Sequence, residues 1–323
     1  CRIHRGGVGR VTMLEQHRFT ARRDGWHCRP MAVMAIVALL AFGLVLAGCG
    51  ASAGGAERKA TTAPAGGATV SATAEAAGAL TGELTVFAAA SLTDAFQEIG
   101  AQLEADNPGL RIVFNFAGSQ ALRAQLAEGA RADVFASADE VTMEGAREDG
   151  SIAGEPRIFV ANQLVVILPA DNPAGVQELR DLARPGVKLV LADETVPAGR
   201  YARQILTTMG RNPSFGSDFT DRVLANVVSN ETNVRQVVAK VQLGEADAGI
   251  VYASDVTPAV RADVTVLDIP AEFNVVARYP IAIVRDAANP TAAEAFIDAV
   301  LSPAGQDTLT RHGFLPAPSG GDQ

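Results

Sequence analysis

LTVFAAASLTDAF (84–96) decides how the chain is read. An apolar, β-prone run stops at small residues, and Ser91 then opens a segment whose apolar positions recur at helical spacing. A strand that feeds straight into a helix belongs to an α/β layer, where ligands bind at the carboxyl ends of strands. The junction is also an anion site in outline. The first N–H groups of a helix lack intrahelical partners and carry the positive end of the macrodipole.

The same alternation runs through the rest of the folded region. RIVFNFA (111–117) precedes a helix over 120–128, and DVFAS (133–137) precedes one over 139–149. Further strands are expected at LVVILP (164–169), KLVLAD (188–193), AGIVYA (248–253), VTVLDIP (264–270) and YPIAIV (279–284). Helices are expected at 198–209, 232–243, 291–301 and 303–312. Such alternation predicts α/β layers with mostly parallel sheets. About 236 residues of it, 82–317, suit two lobes better than one. The loops ADNPAG (170–175) and GRNPSFGS (210–217) carry turn chemistry and are expected to lie outside any site.

Four strand-to-helix junctions are candidates for chemistry. At the first, Ser91 and Asp94 have capping-box spacing. At the second, Gly118 and Ser119 stand between a strand and a helix. At the third, Pro197 suits a first helical turn, and Ala198 and Gly199 let the backbone come close to a ligand. At the fourth, Thr232 or Asn233 caps a helix with Val234 in its first turn. Tyr252 closes the strand that follows. Each of these, taken alone, also reads as an ordinary helix start or a packed side chain.

Composition narrows the function classes. Residues 31–46 form an uncharged apolar run behind Arg22, Arg23 and Arg29, short for a membrane span and matched to a signal peptide. It ends in Leu46-Ala47-Gly48-Cys49, which resembles a lipobox, so Cys49 is the expected lipidation site, with 1–48 a leader that is removed. Residues 49–81, rich in Ala, Gly, Thr and Ser, read as a flexible tether. The whole chain has a formal net charge of −9; without the seven arginines and two acids of 1–48 it is about −14. That surface excludes nucleic acid as a partner and makes any anion site depend on local, desolvated hydrogen bonds. Cys49 is the sole cysteine beyond the leader, which removes disulfides and thiolate metal sites from consideration.

VFAAASL (86–92), FAGSQAL (116–122), VPAGRYA (196–202) and GIVYASD (249–255), in that order, resemble the molybdate-binding proteins of bacterial ABC importers. The resemblance covers about 82–317. It implies a bilobal type II periplasmic-binding-protein fold, two α/β lobes joined by a hinge with the ligand cleft between them. Residues 82–165 plus 278–318 would form lobe 1 and 166–277 lobe 2, with 319–323 as a tail. It also implies that Ser91, Ser119, Ala198, Val234 and Tyr252 hold molybdate or tungstate, the first two from lobe 1 and the others from lobe 2. No metal is held as a cation and no cofactor is needed. The implied partners are a permease and its ATPase, with the receptor a monomer tethered outside the cytoplasm. In place of the serine-rich turn of some relatives, this chain has Phe116-Ala117-Gly118-Ser119-Gln120, which leaves fewer hydroxyls.

The physical reading of these residues agrees. Neutral donors spare the site a buried cation's desolvation cost and cannot accept a proton, so they favour fully ionised tetrahedral oxyanions. Arg200 and Arg235 are read as solvated helix residues. An enzyme is the rival of another class, but outside the leader only His312 remains among histidines, and no nucleophile elbow, P-loop or zinc spacing occurs. The pairs Asp139-Glu140 and Asp193-Glu194 read as solvent-facing caps. A receptor for sulfate, phosphate or a small organic acid is the alternative among binding proteins, and an organic acid calls for an Arg fork on its carboxylate.

Overall fold

A computed structural model describes residues 79–317. The leader, Cys49, most of the tether and the tail lie outside the described residues.

The chain enters through β1 (Thr81–Ala89), α1 (Thr93–Asp106), β2 (Gly109–Ala117), α2 (Ser119–Ala127), β3 (Val134–Ala136), α3 (Glu140–Glu148) and β4 (Ile152–Asn162). A second set follows: β5 (Leu164–Pro169), β6 (Leu189–Ala192), α4 (Pro197–Gly210), α5 (Phe219–Ala225), β7 (Val227–Glu231), α6 (Val234–Gln242), β8 (Ala248–Tyr252), α7 (Pro258–Arg261) and β9 (Val264–Asp268). The chain then returns through β10 (Ala277–Val284), α8 (Pro290–Leu301), α9 (Pro303–Arg311) and β11 (Leu315–Pro316). Among the described residues these strands make two sheets, ordered β11-β4-β10-β3-β1-β2 and β7-β6-β8-β5-β9.

Each sheet is the centre of one lobe, and the chain passes between them twice. The first passage is a single residue, Gln163, between Asn162 at the end of β4 and Leu164, which already pairs with Tyr252 of the second sheet. It falls two residues before the expected division at 165/166. The second passage is 269–276, and Ala277 already pairs with Asn162.

The sheets are mixed where mostly parallel ones were expected. β1 runs parallel to β2 and β3, and β6 parallel to β7 and β8. β10 is antiparallel to β3 and β4, and β5 to β8 and β9. The reversal follows from the passages. β5 and β10 are the strands by which the chain arrives in each sheet from the other lobe, and neither has a helical crossover to turn it round.

All six residues of β5 are buried, as expected of a continuous apolar strand covered on both faces. Val234, Val237, Val238 and Val241 give α6 its buried stripe. In the first lobe Phe96 packs against Phe159 and Phe296, with ring centroids 5.7 and 5.3 Å apart. This packing holds α1 and α8 on the sheet, and so fixes the junction that begins at Ala89.

Candidate functional site

The carboxyl ends of β1, β2, β6, β7 and β8 converge where the two lobes meet. A small, narrow cavity lies there, and Ser91, Ser119, Ala198, Val234 and Tyr252 all line it. The structure therefore places these five residues, expected to hold the ligand, around one cavity, while Asp94, Gly199 and Thr232 lie outside its lining. No charged side chain is among the lining residues. A larger open groove lies elsewhere on the first lobe, beside Glu83, Arg131 and Arg285, and shares no residue with this cavity.

The local geometry differs from the sequence expectation at Ser91. It is not a helix cap: it lies inside a 3-10 turn, Ala90–Leu92, that precedes α1, and its Oγ lies 3.0 Å from the Tyr279 hydroxyl. Asp94, its expected capping partner, pairs instead with Arg235 of the second lobe at 2.6 Å. Ser119 is the first residue of α2, after Gly118, and its Oγ accepts a hydrogen bond from the Ala138 N–H at 3.0 Å. Both serines are buried, at 3% and 1% exposure, so neither hydroxyl can be satisfied by bulk water.

From the second lobe, Pro197 occupies the first turn of α4, with Ala198 next to it, as expected. Gly199 serves packing. A Cβ there would come within 2.3 Å of the Ala192 carbonyl oxygen and 2.0 Å of that of Asp193, so the glycine lets α4 sit on the end of β6. Asn233 caps α6 by accepting from the Gln236 N–H, which leaves Val234 as first residue of that helix. The N–H groups of Ala198 and Val234 are first-turn donors with no acceptor in their own helices.

Tyr252 is fully packed rather than wetted at its tip. It is 1% exposed, and its hydroxyl meets no partner at hydrogen-bond geometry among the described residues. Such an orphan costs about 1–3 kcal/mol unless something in the cavity answers it. Burial drives the Tyr252 and Tyr279 hydroxyls well above the ordinary tyrosine pKa, so both keep their protons at any physiological pH.

Arg200 and Arg235 are not solvated helix residues. Arg200 of α4 reaches the first lobe and meets Asp139 at 2.5 Å. Arg235 of α6 lies between Asp94 of α1 and Asp255 of its own lobe, the latter at 3.1 Å. Asp139 is likewise no solvent-facing cap: it is fully buried and caps α3 by accepting from the Thr142 N–H. The cations that stand near the cavity thus spend their charge on carboxylates across the interface and leave the lining neutral. His312 is paired with Glu98 at 2.9 Å, outside the cavity lining.

Residues 84–315 match the family described as "Bacterial extracellular solute-binding protein". The chain is 39% identical over 220 residues to the molybdate-binding protein ModA of Mycobacterium tuberculosis H37Rv, spanning 68% of this chain and 79% of that protein. It is 34% identical over 232 residues to the Escherichia coli K12 molybdate-binding protein ModA, spanning 68% and 84%. Among solved structures, the periplasmic molybdate-binding protein of Azotobacter vinelandii superposes with a TM-score of 0.62 at 22% identity, covering 72% of this chain and 98% of that one, and supports the bilobal type II fold. With two lobes closing on a neutral cavity of backbone and hydroxyl donors, and with these relatives, the chain belongs to the bacterial extracellular solute-binding proteins of ABC transporters, as a relative of the ModA proteins.

Proposed function

We propose that this chain is an extracytoplasmic receptor that captures molybdate, and also tungstate, and delivers it to an ABC importer made of a permease and a cytoplasmic ATPase. The observation that carries the reading is the orphaned Tyr252 hydroxyl in a cavity without a charged lining residue. A dianion placed there would receive the hydroxyls of Ser91, Ser119 and Tyr252 and the N–H groups of Ala198 and Val234. Charge-assisted hydrogen bonds of this kind are roughly twice as strong as neutral ones.

Donors from both lobes meet only when the cleft is closed, so a bound anion favours the closed form by its contacts to both. The anion leaves chemically unchanged, and no cofactor takes part. Lipid attached at Cys49 would hold the receptor to the membrane through the 49–81 tether, as a monomer. The absence of an Arg fork from the lining speaks against an organic acid, and the larger radius of molybdate and tungstate separates them from sulfate.

Thermal unfolding of the anion-free chain with molybdate, tungstate, sulfate or phosphate tests the reading. At a hundredfold excess over Kd, a ligand stabilises the fold by about 2.7 kcal/mol, a readable rise in Tm. Rises with molybdate and tungstate alone are expected. A rise with sulfate or phosphate instead would replace the ligand, and no rise with any anion would remove the oxyanion reading.

A further inference from the structure

The charges around the cavity do not balance, and one buried carboxylate stands where the difference falls. Arg235 follows Val234 directly, and Asp255 accepts the Tyr252 N–H at 3.2 Å, so both lie immediately behind residues of the cavity lining. Arg235 serves two carboxylates, Asp255 of its own lobe and Asp94 of the first lobe. Asp139, next to the lining residue Ala138, is better answered: it has Arg200 as its own cation and accepts the Thr142 N–H as well.

Asp255 is 0% exposed. Its Oδ1 lies 3.1 Å from the Arg235 Nε but out of line for a hydrogen bond, and neither atom has a hydrogen-bond partner among the described residues. The groups that face this carboxyl are Arg235 from α6, Asp94 from α1, Tyr252 from β8 and Tyr279 from β10, and both tyrosines keep their protons. Burial raises it to about 6, with Arg235 opposing the rise and Asp94 adding to it.

A dianion held by Val234 and Tyr252 brings two more negative charges close to Asp255. Closure acts in the same direction, since it sets Asp94 against Arg235 and shuts water out of the cleft. We propose that anion capture is coupled to a proton: as the lobes close on the dianion, Asp255 takes up one proton from solvent and gives it back when the cleft opens. The proton offsets one of the two charges that the neutral lining leaves standing. The proposal rests on the oxyanion reading above and adds a second ion to what the site binds.

The sign of the linkage is definite. The anion-bound form holds the proton more tightly, so affinity for molybdate rises as pH falls from about 8 to about 6 and is level above that window. For a carboxyl moved by one unit, from about 6 to about 7, the rise is about fivefold.

Titration calorimetry with molybdate at about pH 6.5, in buffers of low and high ionisation enthalpy, counts the protons directly. About half a proton per anion is expected there, and close to none at about pH 8.5. Asp255→Asn keeps an oxygen to accept from Tyr252 but cannot titrate, so both the uptake and the pH dependence of affinity should vanish in it. If that variant fails to fold, Asp94→Asn leaves Arg235 wholly to Asp255, and a smaller uptake is required of it. Binding without proton uptake, or uptake undiminished in the variant, overturns the coupling and leaves the receptor reading standing. A wild-type chain that binds no tetrahedral oxyanion overturns both.

Discussion

Arg235 of the second lobe lies 2.6 Å from Asp94 of the first, and 3.1 Å on its other side from the fully buried Asp255. One guanidinium therefore joins the start of α1 to the second lobe beside the cavity. Arg200 and Asp139 make a second such link from α4. Because Asp94 is 40% exposed at its side chain, its pair with Arg235 is partly screened and contributes about 1 kcal/mol at most. Asp94→Asn removes that term without stranding Asp255. The expected result is molybdate affinity reduced about two- to fivefold. The Tm of the anion-free chain should hardly move, and raising the salt should narrow the difference in affinity between the two proteins. Titration calorimetry at low and high salt reads this, and an unchanged affinity would show that the link does not favour closure.

Two glycines separate folding from closure. A Cβ on Gly118 would stand 2.5 Å from the Thr232 carbonyl oxygen, which belongs to the other lobe. A Cβ on Gly199 would strike the Ala192 and Asp193 carbonyls of its own lobe. Gly118→Ala is thus expected to prop the lobes apart, weakening anion binding by tenfold or more, on the order of 1–3 kcal/mol of overpacking, with the unliganded Tm nearly unchanged. Gly199→Ala is expected to lower the unliganded Tm by the same order of energy. Unfolding curves and binding isotherms on both variants decide it; the assignments fail if Gly118→Ala lowers the unliganded Tm as much as Gly199→Ala does.

The second pair of test variants bears on the serines. Ser119→Ala deletes a donor to the cavity and also leaves the buried Ala138 N–H without its acceptor, so both affinity and stability should fall, the latter by about 1–3 kcal/mol. Ser91→Ala strands only a tyrosine hydroxyl that Asn162 still reaches, so its loss should be mainly in affinity. Equal destabilisation by the two changes would contradict this partition.

The sequence made the cavity legible because each lining residue sits at a junction that announces itself locally: an apolar run, small residues, then a cap or a proline. Asn233 before α6 and Pro197 in α4 are such signals, and the structure keeps both. Ser91 was found through its strand-to-helix junction, while the capping role that its spacing to Asp94 also offered is not kept, since it bonds to Tyr279 instead. Tyr279 and Asn162 carried no local signal. They meet Ser91 across 188 and Ser254 across 92 positions of chain respectively, and only the return of β10 beside β4 brings them together. β4 itself was missed because its first half, with Gly154, Glu155 and Pro156, is exposed and loses the alternation of a half-buried strand. β7 (VVSNE) was missed because it is short and largely polar. The roles of Arg200 and Arg235 were misread for a related reason: a helix stripe shows that a residue leaves its own core, and not that another lobe waits there.

Asp255 gives the fold a pH dependence of definite sign. Burial raises its carboxyl to about 6, against the opposing pull of Arg235 and of the Tyr252 N–H that it accepts. The folded chain therefore takes up this proton at a higher pH than the unfolded chain does, and between about pH 4 and 6 it holds more protons on this group. Stability from Asp255 consequently declines as pH rises through that window and is level above it. Asp181, held low by the Gln177 and Glu178 N–H groups, and Asp193, held low by Thr195, act in the opposite sense: their stabilisation is lost as pH falls below about 4, through their lowered values. The windows are separate, so Asp255→Asn isolates the first one while its amide oxygen still accepts from Tyr252. The Tm of the variant, relative to that of the wild type, should climb by roughly 5 °C from about pH 4 to about pH 7. Parallel Tm curves across that range would mean that the buried carboxylate is held charged by Arg235 at no cost to the fold.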